Sequence, residues 1–599
     1  MKKLNSFFVA LLMLAAFGLH GQTYNEYEIS FGNRVHHEAN IKVKFSNLEN
    51  KVLEVRMSRS SPGRYAVHEF AKNVYAVKAT DSKGNELTVT RSDPSQWNIA
   101  NHDGTVNFEY TLYANRAGGT YSGIDELHAH LNIPATFIWA KDLGHRPTRL
   151  KINIPEGSNW KVATQLKDEG NNTYYAPDTY YFMDSPILIA DLHMRERMID
   201  GQNIRLALNT RATDAEVDDY FEEVIKIVEQ QKAVFGELPK FDFGEYTFLS
   251  NYMPNASGDG MEHRNSTFVV SSKPINRALG NTSMGTMSHE FFHAWNVERI
   301  RPASLEPFNF EDANMSGELW FAEGFTSYYT NLIRARSGNI TKEQYVNGLG
   351  GAVGYVINAP GRMYFNPIEM SYRAPFVDAA ASIDPDNNAN IFISYYTYGS
   401  VLGLALDMSL RSMDNGKNLD DYMKHVWKTQ GKNEIPYSVR DLQNRLEEYA
   451  GKAFADEFFS NYIFKSDMPD YEGLFKKMGV TFKNTNPDAP TLGGFIRINN
   501  GIGRLTGNAT IGSPLYEAGI EREDKLISIN GKSLVGLKNV NEIISSLNPG
   551  DQVSVEIDRW GEKMTKTVTL AANTSMRTGW DQNADAQAQK RREDWLKKK

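Results

Sequence analysis

The sequence contains no cysteine among its 599 residues. Disulfide frameworks, thiol nucleophiles and cysteine-ligated metal sites are therefore excluded, and any metal must be held by nitrogen and oxygen ligands. The sequence also lacks an excess of basic residues, because its formal net charge is −8. This acidic balance argues against a nucleic-acid partner. Beyond the N-terminal segment, no apolar run is long enough to predict a stable membrane span.

The N-terminal segment has the pattern of a signal peptide. Lys2 and Lys3 form a basic start, Phe7–Gly18 is an apolar run, and small residues up to Gly21 suit cleavage. We therefore predict that residues 1–21 direct export and are removed. The expected location is a bacterial periplasm or the medium outside the cell.

The strongest chemical signal is the sequence from His289 to His293, which reads His-Glu-Phe-Phe-His. Histidines four residues apart lie on one face of a helix and can bind one zinc ion together. Glu290, beside the first ligand, can take a proton from the water that zinc activates and then pass it to a leaving amine. We predict a helix over Ser283–Glu298, one zinc ion per chain, and hydrolysis of peptide bonds.

Several residues compete to be the third zinc ligand. Glu323 lies inside a second predicted helix, Gly317–Ile333, in apolar surroundings where an unpaired carboxylate would be costly. Asp312 lies in a polar loop, and Glu318 fits the role of an acidic residue in the first helical turn. His263 is another candidate, but it has no partner at helical spacing. We therefore predict Glu323.

Two stretches together, His289–Pro302 and Trp320–Thr326, resemble the glycyl aminopeptidase family of gluzincin zinc metallopeptidases. The resemblance implies a multidomain α+β protein with an N-terminal antiparallel β domain, a thermolysin-like α-rich catalytic domain and a C-terminal PDZ domain. It also implies removal of small N-terminal residues, Gly or Ala, from peptides with a free N terminus. A zinc endopeptidase and a catalytically inactive peptide-binding protein are the alternatives.

The same resemblance assigns substrate-contacting residues. Gly260, Met261 and Glu262 are similar to the family segment whose glutamate binds the free α-amino group, a charge-assisted contact that an internal peptide bond cannot make. Tyr396 corresponds to the tyrosine that donates to the oxyanion. The neighbouring positions differ from the family pattern, so Tyr395 and Tyr398 also remain candidates for that role.

Alternating apolar residues predict β-strands in residues 22–212. These strands are expected at 27–31, 39–45, 52–57, 106–112 and 149–154, and Ser61–Tyr65 is similar to the family's N-terminal domain. The catalytic domain is predicted at residues 213–472, with Asp214 capping a helix over Val217–Phe235. Within it, Gly338–Ala389 is rich in Gly, Pro and Asn and is predicted to be irregular.

Residues 473–573 resemble a bacterial PDZ domain. The amides of Gly493, Gly494 and Phe495 are similar to the loop that holds a C-terminal carboxylate, so a peptide C terminus is a further expected partner. The PDZ domain could instead serve packing or regulation. The remaining residues, 574–599, form a polar tail that we expect to be a solvated helix or disordered.

Overall fold

The computed structural model describes residues 22–275, 283–378, 384 and 386–599. The predicted signal peptide lies outside these described residues. The chain divides into two compact units. Among the described residues, one unit comprises 22–61 and Glu69–Leu192, and the other comprises Pro62–His68 and the described part of His193–Lys599.

The first unit is built of β-sheets, as the alternating sequence pattern predicts. Its largest sheet has seven strands, in the spatial order Lys167–Gly170, Thr173–Ala176, Thr148–Asn153, Asn25–Ser30, Glu38–Phe45, Val106–Tyr113 and Val74–Thr80. Only the pairing of Asn25–Ser30 with Thr148–Asn153 is parallel in this sheet. Alternate residues such as Ile41 and Phe108 are buried, so the period of two places one face of the sheet in the core.

Two smaller sheets and short helical turns complete the first unit. One sheet has the order Lys161–Thr164, Ile187–Ala190, His128–Leu131 and Gly123–Ile124, and the other has the order Leu53–Arg56, Gln96–Ala100 and Thr88–Asp93. The helical turns are Arg34–His36, Phe70–Asn73, Ile133–Thr136, Lys141–Leu143 and Thr179–Met183.

The second unit begins with a five-stranded sheet in the order His193–Ile199, Gln202–Asn209, Glu245–Tyr252, Ser266–Ser271 and Asp259–His263. Its first two strands therefore belong to the same sheet as the three strands that precede the predicted zinc helix. The structure therefore divides after Leu192, earlier than the predicted boundary at residue 212.

Helices make up most of the second unit around this sheet. They are Asp214–Phe235, Met284–Phe292, Leu319–Ala322, Gly324–Ser337, Lys342–Asn358, Pro367–Ser371, Ala374–Val377, Asn388–Ile391, Tyr395–Arg411, Leu419–Thr429, Val439–Ala450, Lys452–Phe458 and Tyr471–Lys477. Shorter 3-10 turns lie at Ala303–Leu305, Pro360–Met363 and Gly431–Asn433, and a π turn at Phe459–Ile463. The first long helix is capped by Thr213, with Glu216 completing a capping box, rather than by the predicted Asp214.

The prediction of an irregular segment over Gly338–Ala389 is wrong for Lys342–Asn358, which is a regular helix with a capping box at its start. Its glycines permit a close strand contact instead of breaking the helix. A Cβ atom on Gly350 would lie 2.6 Å from the backbone nitrogen of Thr578, and one on Gly354 would lie 2.9 Å from Cβ of Met576. Local composition therefore suggested a loop where tertiary packing requires small residues.

The PDZ region contains a sheet in the order Ile496–Asn499, Ile502–Leu505, Lys525–Ile529, Gln552–Arg559 and Glu562–Thr569, with Lys532–Ser533 paired beside it. Its helices are Pro514–Glu517 and Asn541–Ile544. Two short strand pairs precede and follow this sheet in sequence, Val480–Asn484 with Met576–Trp580 and Pro490–Thr491 with Ala571–Ala572. A separate buried cluster, including Leu515 and Ile557, forms its core.

The C-terminal tail contains a helix, Ala586–Leu596, as one of the two predicted forms, but it follows a strand at Met576–Trp580 and is partly buried rather than solvated. Trp595 is fully buried, and its indole Nε1–H donates to the Tyr328 hydroxyl at 3.0 Å. Arg336 donates to the Trp595 carbonyl at 2.9 Å. Among the helices described by the structure, none combines the length and the apolar composition needed to cross a membrane.

Candidate active site

The helix Met284–Phe292 carries His289 and Glu290, and His293 follows it directly. Met287 and Phe291 are fully buried and hold this helix in the core of the second unit. Regular helix ends at Phe292, before the predicted end at Glu298. The following residues form turns whose backbone bonds reach back three, four or five positions. In these turns the Asn296 carbonyl accepts a hydrogen bond from His293 Nδ1 at 2.5 Å.

Glu323 lies at the junction between the helices Leu319–Ala322 and Gly324–Ser337. Its side chain is 2% exposed, so it lies in a region where an isolated charge would be unfavourable. Gly324 meets Gly399 of the helix Tyr395–Arg411, where a Cβ atom on Gly399 would lie 1.9 Å from the Trp320 carbonyl oxygen. The glycine contact therefore brings the tyrosine-bearing helix close to Glu323.

Three atoms converge from these elements. Glu323 Oε2 lies 3.2 Å from Nε2 of His289 and 3.2 Å from Nε2 of His293. Thr330 Oγ1 donates to the Thr326 carbonyl at 2.8 Å and lies 3.1 Å from His289 Nδ1. We therefore assign the proton of His289 to Nδ1, as for His293, so that both Nε2 lone pairs point toward the carboxylate. This donor set fits zinc, because imidazole nitrogen and carboxylate oxygen are its common ligands.

The charges around these atoms also fit a cation. Burial opposes the charge of His293, but Glu323 and Glu262 outweigh it and raise the His293 pKa to about 10. Burial also raises the pKa of Glu290 well above its usual range and raises that of Glu262. Buried carboxylates around two histidines thus favour a positive charge between them, and a divalent metal ion supplies it.

The other candidate ligands lie elsewhere. Glu318 accepts hydrogen bonds from Ser304 and Ser316, at 2.8 and 3.0 Å, and Asp312 is exposed in its loop. Within the described ranges, the clusters able to hold a metal are His289–His293–Glu323 and Glu262–Glu290–His293. His263 belongs to neither of them, and the predicted set is the cluster in which both histidines take part.

Gly260, Met261 and Glu262 lie on the strand Asp259–His263, at the edge of the five-stranded sheet. A Cβ atom on Gly260 would lie 2.2 Å from Glu290 Oε1, so only glycine permits this contact between strand and helix. Met261 is fully buried, and Glu262 is 5% exposed. Donor atoms of Glu262, Glu290 and His293 all lie within 4.8 Å of one another. A negative group therefore lies directly beside the predicted base and one predicted ligand.

The structure distinguishes the three candidate tyrosines by position. The Tyr396 ring lies 6.0 Å from that of His289, and the charge of Glu323 raises its pKa after the larger effect of burial. The Tyr395 ring lies 4.9 Å from Tyr396 and is almost fully buried. Tyr398 is fully buried, and among the groups that perturb its pKa is Arg362 rather than any predicted ligand. Tyr396 is thus the candidate whose ring lies against that of a predicted metal ligand, His289.

Comparison with protein families bears directly on this geometry. The model of the Peptidase M61 N-terminal domain matches residues 26–191, and the model of M61 glycyl aminopeptidase matches residues 282–402. Residues 282–402, which include the predicted zinc site, are thus similar to the M61 glycyl aminopeptidase family. The second match contains His289, Glu290, His293, Glu323 and Tyr396. A PDZ-domain model also matches the chain, at residues 477–570.

The chain is also similar to solved structures and to one curated protein. The solved structure of an aminopeptidase N family protein from Idiomarina loihiensis superposes on this chain with a TM-score of 0.84 and 25% sequence identity. The match covers 95% of this chain and 99% of that protein. An M1 zinc metallopeptidase from Deinococcus radiodurans has a TM-score of only 0.41 at 13% identity, covering 74% of this chain and 94% of its own. The probable periplasmic serine endoprotease DegP-like protein of Chlamydia trachomatis serovar D is 29% identical over 93 residues, which are 16% of this chain and 18% of that protein.

These findings confirm the family and the multidomain fold class that the sequence predicts. The chain matches a zinc metallopeptidase of the aminopeptidase type. It combines an N-terminal β-rich domain, a helical catalytic domain and a C-terminal PDZ domain.

The sequence analysis did not predict one group of residues at this site. The segment Pro62–His68 belongs to the second unit, although its neighbours in sequence belong to the first. The Tyr65 hydroxyl donates to Glu323 Oε1 at 2.6 Å, and Arg64 pairs with Asp259. The resemblance of Ser61–Tyr65 to the family was the only available signal, and it indicated a domain rather than a contact.

The predicted carboxylate loop of the PDZ domain is only partly available for a ligand. The Gly493 N–H already donates to Thr491 Oγ1 at 3.0 Å. Gly493 adopts φ +77°, and a Cβ atom on it would lie 2.7 Å from Cβ of Ser513. Phe495 is 72% exposed and precedes Ile496–Asn499, an edge strand of the PDZ sheet. An edge strand beside this loop is the arrangement that strand addition by a peptide requires.

Proposed function

We propose that the chain is an exported zinc aminopeptidase that removes small N-terminal residues, such as Gly and Ala, from peptides. The proposed metal ligands are His289, His293 and Glu323, with one zinc ion per chain. The family description as a glycyl aminopeptidase supports the preference for small residues. The basic and apolar pattern of residues 1–21 supports export.

The carrying observation is the position of Glu262. Its carboxylate is buried, and its donor atom lies within 4.8 Å of donor atoms of Glu290 and His293. A substrate ammonium bound there would place the first peptide carbonyl beside the metal. An endopeptidase would have to bury an uncharged peptide segment against this carboxylate, which leaves the charge without a partner.

In the proposed reaction each of these residues has a separate role. A bound zinc ion would lower the pKa of water toward about 7 and polarise the scissile carbonyl. Glu290 takes the proton from the attacking water and delivers it to the leaving amine. Tyr396 donates a hydrogen bond to the carbonyl oxygen as negative charge develops there, a contribution worth about 3 kcal/mol in comparable sites. Glu262 holds the α-ammonium group in place.

The PDZ domain supplies a second place for peptide contact in this proposal. Its edge strand Ile496–Asn499, beside the loop from Gly493 to Phe495, suits the addition of an extended peptide. Packing against the catalytic helices is its other role, and it does not depend on a ligand. The two roles are separated by measuring whether a peptide must contain a free C terminus to be cleaved well.

The testing experiment compares chromogenic amides of Gly, Ala and Leu with their N-acetylated forms on the zinc-loaded full chain. We expect only the substrates with a free amine to be cleaved, and the Gly and Ala amides to be cleaved faster than the Leu amide. Addition of a chelator should abolish the activity. Equal cleavage of the acetylated series would favour the endopeptidase. Absence of cleavage with zinc bound would favour the inactive peptide-binding protein.

A further inference from the structure

Tyr65 makes a contact that the proposed reaction does not use. Its side chain is buried, with 3% of the residue exposed, and its hydroxyl donates to Glu323 Oε1 at 2.6 Å. The other oxygen of the same carboxylate, Oε2, is the atom that faces both histidine Nε2 atoms at 3.2 Å. The two oxygens of Glu323 therefore have separate partners.

This division of partners fixes the orientation of the carboxylate. The last torsion of a glutamate side chain is broad and roughly two-fold, so the side chain alone does not select which oxygen faces a metal. A short hydrogen bond from a phenol to Oε1 opposes rotation of Glu323 and keeps Oε2 between the histidines. Outer partners of metal ligands commonly act in this way.

Tyr65 is itself held at several points. Its backbone N–H donates to Asp378 Oδ2 at 2.9 Å, and its ring lies edge-on to that of Tyr395 at 6.3 Å. The preceding residue, Arg64, pairs with Asp259 and donates to the Gly260 carbonyl at 3.2 Å. The hydroxyl thus comes from a segment anchored on both sides of the site, so it can restrain its partner.

The neighbouring glycine extends the same segment to the second carboxylate of the site. Gly63 has φ +77°, and a Cβ atom on it would lie 3.0 Å from Glu262 Oε2. Gly63 thus lies against the proposed amine anchor, while Tyr65 holds the proposed metal ligand. One short segment therefore contacts both Glu262, the proposed amine anchor, and Glu323, the proposed metal ligand. The distance between these two groups decides how a substrate N terminus fits the site.

We propose that Tyr65 is a positioning residue that orients the metal ligand Glu323 and so raises the affinity of the chain for zinc. The inference rests on the metal centre of the proposed function, but not on the identity of the peptide that is cleaved. It assigns to Pro62–His68, which lies far from the metal-ligand motif in sequence, a role in assembling the centre.

The test measures zinc affinity of the full-length Tyr65→Phe variant by competition with a chromophoric chelator. We expect zinc to bind about 10- to 100-fold more weakly, as is typical when the outer partner of a ligand is removed. The visible spectrum of the Co²⁺-substituted protein should also change, because it reports the arrangement of the ligands. Excess zinc should restore most of the kcat of the variant, because it fills the site although the affinity for zinc stays low.

The matched control is Tyr329→Phe. Tyr329 is also fully buried, and its hydroxyl donates to the carboxylate of Asp420 at 3.0 Å, outside the metal cluster. We expect this variant to lose stability without any change in zinc affinity or in the Co²⁺ spectrum. A change of zinc affinity in the control equal to that of Tyr65→Phe would overturn the proposal.

Other outcomes also decide the matter. Zinc affinity within two-fold of the unmodified chain, with an unchanged Co²⁺ spectrum, would overturn it. Unchanged zinc affinity with a large loss of kcat would overturn it in favour of a direct contact with the substrate. If Tyr65→Phe does not fold, Asp378→Ala frees the Tyr65 backbone N–H and must weaken zinc binding in the same direction.

The same assays separate this proposal from the proposed function. If the chain binds zinc but cleaves no aminoacyl amide, the comparison of zinc affinities still tests Tyr65. If the unmodified chain does not bind zinc, both the proposed metal centre and the role of Tyr65 are rejected.

Discussion

At the scale of single residues, Glu290 is defined by its surroundings. It is 6% exposed, and burial raises the pKa of its carboxyl well above the usual range. Burial disfavours the ionised form, so this carboxylate accepts a proton readily. A cation nearby opposes the effect of burial and favours release of the proton, which suits a group that acts first as a base and then as an acid.

We expect Glu290→Gln to retain zinc and to lower turnover by about 10²- to 10⁴-fold, the usual range for removal of a general base. The side chain keeps its shape but no longer accepts the proton. Metal content is measured by atomic absorption and activity with a glycyl amide. Turnover close to that of the unmodified chain would remove Glu290 from the mechanism.

Replacing the proposed amine anchor tests the exopeptidase assignment. In Glu262→Gln we expect kcat/KM for free-amine substrates to fall by an amount equivalent to about 2–5 kcal/mol, the cost of losing one partner of a buried charge pair. Cleavage of acetylated substrates, already slow, should not fall. The measurement is the ratio of the two substrate series.

A matched control for this change is Glu318→Gln. Glu318 is also buried and is hydrogen-bonded by Ser304 and Ser316 away from the metal cluster. The substrate ratio should stay as in the unmodified chain. A similar fall in both variants would point to a general loss of stability and against an amine anchor at Glu262.

At the scale of elements, the site depends on how closely a strand, a helix and a second helix approach one another. The strand Asp259–His263 contacts the helix Met284–Phe292 at Gly260, and Gly324 contacts Gly399 between two helices. No larger side chain fits at these positions without movement of backbone or of Glu290. Glycine here sets distances between catalytic groups and does not serve as a hinge.

We expect Gly260→Ala to lower turnover strongly while zinc still binds. Its Cβ would lie 2.2 Å from Glu290 Oε1 and 2.5 Å from Cγ2 of Thr286, so Glu290 must move. Overpacking of this kind costs typically about 1–3 kcal/mol of stability. The free energy of unfolding and kcat are measured together.

Gly351→Ala supplies the comparison for this element. Gly351 lies in the helix Lys342–Asn358, and a Cβ atom there would meet nothing within 4 Å. Alanine is favoured over glycine in a helix by up to about 1 kcal/mol, so stability should be unchanged or higher and kcat unchanged. Full activity in Gly260→Ala would show that Glu290 tolerates the displacement.

At the scale of the whole molecule, the PDZ domain packs against the segment that leads to the helix with the candidate tyrosines. Asn390 is 2% exposed, its Nδ2 donates to the Ala509 carbonyl at 2.9 Å, and its Oδ1 accepts from Ile511 N–H at 2.8 Å. This side chain lies shortly before the helix Tyr395–Arg411. One buried amide therefore joins the PDZ domain to the catalytic helices.

We expect Asn390→Ala to loosen the PDZ domain, because it leaves two buried backbone groups without partners at about 1–3 kcal/mol each. Hydrogen exchange at residues 508–511 should become faster, while zinc content stays the same. Asn508→Ala is the control, since the half-buried Asn508 donates at 2.9 Å to the Asp386 carbonyl and should matter less than the buried Asn390. Unchanged exchange in Asn390→Ala would contradict this role.

Acid stability also depends on contacts across the molecule. Burial opposes the charge of Asp420, but Arg336, Arg411 and Lys599 outweigh it and lower its pKa below the usual range. Because the unfolded value is about 3.9, ionised Asp420 stabilises the fold above that pH. This stabilisation is lost as the pH falls through the unfolded value toward the lower folded value.

We therefore expect Asp420→Asn to show a weaker loss of stability on acidification below about pH 4 than the unmodified chain. At neutral pH the variant should be less stable by about 3–5 kcal/mol, because buried Arg336 loses its charged partner. Denaturant unfolding at several pH values measures both effects. Asp312→Asn, at an exposed position, is the control, and an equal pH response in Asp420→Asn and the unmodified chain would contradict the assignment.

The sequence by itself determined the chemistry that depends on local spacing. His289 and His293 lie one helical turn apart in any helix, and a carboxylate inside an apolar helix needs a charged partner, which directed attention to Glu323. The strands of the N-terminal domain also followed from periodicity and turn residues, because these signals reside in neighbouring positions, whereas the PDZ domain was indicated by its resemblance to a known domain.

Only the tertiary structure decided which distant residues meet. Tyr65 reaches Glu323 across 258 positions, and the fit of Gly260 against Glu290 depends on the packing of a strand on a helix. The helix Lys342–Asn358 and the buried Trp595 were missed because glycine and polar residues suggest loops and solvent when judged locally. Their roles arise from surfaces that no local pattern records, since the contacts form only after the whole chain has folded.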